Sequence, residues 1–167
     1  FRGEKTRNKP QHYIFNVSLN GFAKEIKRKI VVNNDITVDT FCYKIIKSMR
    51  GEMYHQYNLK LRKNYLDDLF NDVPLYYLNL KEKEKLQIRY DWGDSWDFNI
   101  SLSKIVDGYN DLPFEVISGA GYGIIEDCGG SWALWEIFSG ENLEWGKYDI
   151  NDFDLDKCNK SVNGERL

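Results

Sequence analysis

The chain has 167 residues but only three cysteines, two histidines and no long apolar run. Cys42, Cys128 and Cys158 are odd in number, widely spaced and in no CxxC or Cys/His ligand pattern, which excludes a disulfide framework or a zinc ribbon. No apolar stretch approaches the roughly 18 residues that a membrane span needs, and no signal-peptide pattern opens the chain. The expected compartment is therefore the cytoplasm, and a membrane is not among the expected partners. No internal repeat or low-complexity tract is present. Disorder is excluded as well: 42% of the residues are apolar and 15% aromatic, while a mean hydropathy of -0.58 requires a heavily charged surface. The length suits one core of ordinary size.

What is present is charge, unevenly placed. Residues 1–34 hold eight basic and two acidic side chains, a net +6, whereas the chain from Asp91 onward holds five basic and sixteen acidic ones, a net -11. Three readings follow: solvated faces that attract each other within one fold, a basic hairpin that suits an acidic partner, and an acidic half that repels nucleic acid and suits a basic protein.

Periodicity orders the chain. Residues 1–11 lack it and read as a flexible arm, residues 12–163 as a single domain, and residues 164–167 as a frayed tail. Tyr13, Phe15, Val17 and Leu19 alternate onto one face, and Asn20-Gly21 predicts a two-residue hairpin turn into a partner strand over Phe22–Val32. Val38, Phe41, Cys42, Ile45, Ile46 and Met49 recur at helical spacing behind Thr37 as N-cap, which places Cys42 in the core. "YHQYNLKL" alternates as a third strand, with His55 read as a packed or rim histidine. Residues 62–85 form a variable connection. Leu86, Ile88 and Tyr90 pair across the turn 91–95 with Trp96, Phe98, Ile100 and Leu102 as a second hairpin. "FEVISGAGYGII" is a short strand and a Gly-rich loop, and two helices follow, one carrying Trp132, Trp135, Ile137 and Phe138 and one after the acids Asp152, Asp154 and Asp156.

The candidate functional surface is Asp91, Trp92, Asp94, Trp96, Glu126, Asp127, Cys128 and Trp132, which cluster around two glycine-bearing turns. The acids Asp91, Asp94, Asp97, Glu126 and Asp127 could pair as acid and base or bind Mg²⁺, yet the same residues serve turns for backbone reasons alone. In "IIEDCGG" Asp127 is expected to cap the following helix, the glycines to turn the chain and Trp132 to pack. Cys128, near a helix N-terminus, is a candidate nucleophile only if exposed, and neither His12 nor His55 has a signature tying it to that thiol. "GAGYG" lacks the final Gly or Gly-Lys-Ser/Thr of a phosphate loop. The five tryptophans lie in the acidic half, without the basic groove that base stacking requires.

Taken together, the hairpin and helix from Tyr13 to Met49, the strand "YHQY", the segment "YDWGDSWDFNISL", the segment "GYGIIEDCGGSWALWEI" and the ending "YDINDFDLDKCNKSV" resemble the plasmid pRiA4b ORF-3-like family, whose members are also described as mobile-element passengers or TnpR-like proteins. The resemblance covers nearly the whole chain outside the arm and the 62–85 connection. It implies an α+β fold, a single domain with a β-grasp-like hairpin–helix–sheet core and additional C-terminal helices. It implies no activity, because the family has none established. Two positions depart from the family pattern: Gly123 stands where many members have cysteine, and Met53 where many have histidine upstream of His55.

The expected function is a non-enzymatic protein-interaction or regulatory module of a mobile element or bacterial accessory region, with no cofactor, no metal and another protein as partner. The first alternative is a metal-assisted hydrolase built on Asp91, Asp94, Glu126 and Asp127, which requires those carboxylates to converge. The second, less favoured, is nucleic-acid binding or DNA mimicry.

Overall fold

The computed structural model describes residues 9–164; residues 1–8 of the expected arm and 165–167 of the expected tail lie outside the described residues. Seven antiparallel strands form one sheet: β1 (Gln11–Leu19), β2 (Lys27–Asn33), β3 (Tyr57–Leu61), β4 (Asn64–Tyr65), β5 (Lys85–Tyr90), β6 (Trp96–Asp107) and β7 (Phe114–Ala120). Their spatial order is β4-β3-β5-β6-β1-β2-β7. Three helices, α1 (Val38–Ser48), α2 (Ser131–Ser139) and α3 (Leu155–Asn163), complete the domain. Gln11 already pairs with Asp107, and the Lys9 and Pro10 carbonyls accept from the Asn34 side chain and the Gly108 N–H, so order begins before His12.

One face of the sheet is the core because the strands alternate. Tyr13, Phe15, Val17 and Leu19 of β1, Leu86, Ile88 and Tyr90 of β5 and Trp96, Phe98, Ile100 and Leu102 of β6 are all buried. Helix α1 lays Val38, Phe41, Cys42, Ile45 and Ile46 onto that core, and Thr37 caps it by accepting from the Thr40 N–H at 3.1 Å. Its C-terminal end meets Gly123, where φ is +120° and an added Cβ would stand 2.4 Å from the Met49 carbonyl oxygen. The cysteine common in the family has no room here.

The first hairpin turns less tightly than Asn20-Gly21 predicts. Gly21 does take positive φ, but ladder pairing resumes only at Lys27. The intervening chain is needed to bury Phe22 and Ile26, and Phe22 stacks on Trp135 of α2 with ring centroids 4.4 Å apart.

Strand β7 is an edge strand, and α3 covers that edge. Asn159 accepts from the Val116 N–H at 2.9 Å and donates to the Val116 carbonyl at 2.7 Å, and Asn163 donates to the Phe114 carbonyl at 3.0 Å. Asp154 caps α3 through the Lys157 N–H. On β2 the alternation places Arg28, not an apolar residue, on the buried face. Its guanidinium donates to the carbonyls of Ser48, Lys27, Ala120 and Tyr122 at 2.7–3.1 Å and lies over the Phe153 ring.

Candidate functional site

Three loops meet where β3 begins and β5 ends. The first, between α1 and β3, carries His55; the second, the β5–β6 turn, carries Asp91; the third, between β7 and α2, carries Asp127. Asp91 is fixed by its backbone, whose N–H donates to the Gln56 carbonyl and whose carbonyl accepts from Ser95. Its Oδ1 accepts from the Gly93 N–H at 2.9 Å, which leaves Oδ2 facing His55. His55 Nε2 lies 2.7 Å from Asp127 Oδ1 and 3.5 Å from Asp91 Oδ2. The three ligand atoms are all within 4.8 Å of one another.

One imidazole N–H can serve one acceptor. The second carboxylate oxygen is then left beside a like charge, and neither Asp91 nor Asp127 has a lysine or arginine partner among the described residues. Asp91 is only 6% exposed, which makes its uncompensated charge costly. Burial opposes protonation of His55, but the hydrogen bond that its Nε2–H donates to Asp127 and the charges of Asp91, Asp127 and Glu126 outweigh it and hold the imidazole pKa above its ordinary value. The arrangement lacks one positive charge.

Backbone strain marks the same three loops. Asp91 (φ 63°), Asp127 (φ 59°) and Met53, two residues before His55 (φ 65°), all occupy the left-handed region without being glycine. Such residues cost on the order of 1 kcal/mol each and persist where the surroundings over-determine them.

A third carboxylate, Glu126, is anchored alongside. Glu126 Oε2 accepts from the Tyr90 hydroxyl at 2.6 Å and from the Glu52 N–H at 3.1 Å, while its buried Oε1 has no partner among the described residues. Burial and the neighbouring Glu126 charge push the Tyr90 phenol well above its ordinary pKa, so it remains a donor.

The family model of the plasmid pRiA4b ORF-3-like protein matches residues 11–157, from the first strand into α3. The chain belongs to the plasmid pRiA4b ORF-3-like family. A crystal structure of a protein of unknown function from Methanosarcina mazei Go1 is similar to it with a TM-score of 0.75, covering 90% of this chain and 98% of that one at 20% identity. At that identity the likeness shows the fold. No curated protein matches the chain.

The pRiA4b ORF-3-like motifs thus supply the site, but not through all the residues that the sequence singles out. Asp91 and Asp127 converge. Asp94 does not join them: its Oδ2 accepts from the Gly129 N–H at 3.1 Å and ties the two turns together. Glu126 is held by Tyr90, and Asp97 pairs with Arg89 across the β5–β6 ladder. Asp127 does not cap α2, because that helix begins at Ser131 behind Gly130 and has no side-chain cap. Cys128 is buried, and burial pushes its thiol up to about 11, so it is not a nucleophile. Trp96 lies in the core, whereas Trp92 is half-exposed with Tyr65 edge-on against it. Trp132 does not pack; it is 79% exposed, its indole N–H donating to Glu136, because Leu134 and Ile137 form the buried face of α2.

His55 and Tyr90 are the members that sequence reasoning left out of the surface. His55 is one of only two histidines, and it falls in "YHQY", one of the stretches that carry the family resemblance. Those two facts together were the available signal.

Proposed function

We propose that this family member binds a divalent cation between His55, Asp91 and Asp127 and uses it as the centre of a hydrolytic reaction. The observation that carries the reading is the convergence of two carboxylate oxygens on a single imidazole nitrogen with no lysine or arginine among the described residues to balance them. One nitrogen and two oxygen ligands leave coordination positions free, and Asp127, 58% exposed at its side chain, opens the site to solvent. Hydrolytic centres use such positions to lower the pKa of a bound water and to polarise a substrate oxygen. Imidazole with carboxylates suits Zn²⁺ or Mn²⁺ better than Ca²⁺.

The test is a thermal melt with each of these ions after EDTA treatment. At an ion concentration of about 100 times Kd, binding stabilises by roughly 2.7 kcal/mol, an upward shift of about 5–10 °C for a chain of this size. Asp91→Asn and His55→Ala should abolish the shift. An unchanged melting temperature with every ion, or a shift that survives both substitutions, refutes the metal centre.

A second reading, the protein-interaction module, is supported by the exposed indoles of Trp92 and Trp132 in the acidic half of the chain. A lysine-rich peptide should quench tryptophan fluorescence in the parent protein and not in Trp92→Ala/Trp132→Ala. Equal quenching in both rejects it.

A further inference from the structure

The face of the sheet opposite the core carries a depression of about 1020 Å³ whose lining contains no aspartate, no glutamate and no aromatic residue. Two polar rungs cross it from strand to strand. The register aligns Lys60, Gln87, Asn99, Ser18 and Lys27 in one rung, and Lys85, Ser101, Asn16, Lys29 and Ser118 in the next. Each rung has lysines on both sides of an amide and hydroxyl floor. At about 4.8 Å per strand, Lys60 on β3 and Lys27 on β2 are four spacings, roughly 19 Å, apart.

The β3–β4 turn adds to this charge in an unusual way. Arg62 and Lys63 occupy the two central positions with φ of 50° and 69°, a conformation for which Asn-Gly is the usual solution. Both line the depression. Arg62 is paired with Glu84, but Lys27, Lys29, Lys60, Lys63 and Lys85 make no ion pair among the described residues. A chain of net charge -3 has thus gathered five uncompensated cations on one concave face.

From this face we infer a binding surface for duplex nucleic acid, contacted through its phosphates. Lysines about 19 Å apart in the first rung and, across three spacings from Lys85 to Lys29, about 14 Å apart in the second straddle a groove such as the roughly 12 Å major groove of B-form DNA and reach the phosphates on both sides of it, while serine, asparagine and glutamine are the side chains that hydrogen-bond phosphate and sugar. The floor of the depression carries no aromatic ring, and the exposed Tyr65 stands only at its β4 border opposite Lys60, so a run of stacked bases has no continuous platform. Recognition through phosphates alone is independent of sequence.

The test is fluorescence anisotropy with labelled 20-base-pair DNA and RNA duplexes and the matching single strands, in EDTA, over a salt series. Five phosphate contacts predict a slope of log K against log salt near -4.5, a loss of about 500-fold between 50 and 200 mM. Lys29→Glu/Lys85→Glu should weaken binding at 50 mM by at least roughly 100-fold, and the milder Lys29→Gln/Lys85→Gln pair should flatten the slope by about two. These side chains are exposed or at the rim, so the melting temperature should hold. Binding of either duplex with that slope supports the inference, and the two arms show whether DNA or RNA is preferred. It is overturned by no binding at 50 mM, by binding indifferent to both variants, by preference for single strands, or by equal competition per charge from poly-glutamate or phosphatidylserine vesicles.

Discussion

Replacing Arg28 by methionine tests the account of the core most severely. Arg28 is 2% exposed and has no carboxylate partner among the described residues; its charge is held by carbonyl dipoles, including Ser48 in the last turn of α1, where the helix dipole favours a cation. Burial pulls its pKa down to about 10, which leaves it charged at neutral pH. Methionine fills much of the same volume but donates nothing. Tyr122 keeps a donor from Arg50 and Ser48 a weak one from the Cys158 thiol at 3.6 Å, so the acceptors most exposed to loss are Ala120 and Lys27, with Ser48 losing its stronger donor. At about 1–3 kcal/mol for each buried acceptor left unpaired, and with the relieved desolvation of the cation offsetting part, the expected cost is about 3–5 kcal/mol. For a chain of this length that is a fall in Tm of roughly 10 °C. Urea denaturation should show a lower midpoint at unchanged slope. A midpoint corresponding to less than about 1 kcal/mol of loss would refute the reasoning, since the desolvation of the guanidinium would then cancel its four hydrogen bonds.

Other outcomes follow from the same geometry. Cys128, with its thiol at about 11, should resist iodoacetamide at pH 7.5 in the folded protein and react once urea unfolds it; rapid labelling of the native chain would reject its burial. Gly123→Cys should destabilise by several kcal/mol, on the order of the strain of a left-handed residue plus a main-chain clash, read as a fall in the urea midpoint. In EDTA, the raised His55 pKa means that its pairing stabilises the fold fully below about pH 6.5 and is lost as pH rises through the folded value. His55→Gln should remove that part of the pH dependence of Tm, and an identical profile in the variant would contradict it.

Much of this architecture is legible in the sequence, where the signal is local. The alternation of Leu86, Ile88 and Tyr90 against Trp96, Phe98 and Ile100 defines a hairpin whichever strands lie beside it, and Thr37 and Gly140 mark helix ends by backbone chemistry that needs no neighbour. The sheet order is not legible, because β1 pairs with β6 some eighty residues away and nothing local specifies that pairing. The candidate site divides in the same way. Asp91 and Asp127 stand out by their turns, whereas the role of His55 depends on three loops meeting, and no spacing in the chain encodes that. Asp94 and Asp127, both candidate ligands by sequence, also part ways: Asp127, expected as well to cap a helix, faces the imidazole, and Asp94 binds a backbone N–H.

The two asparagines of α3 that hydrogen-bond β7 bear on how the protein behaves in a crowded solution. A free β7 edge would offer its N–H and C=O groups to the same edge of another molecule, and a seven-stranded sheet would become a template for its own polymerisation. The opposite border, β4, is only two residues long and so recruits little. Helix α3 is in that sense an internal chaperone for the sheet, and shedding it by proteolysis would convert a discrete particle into a seed.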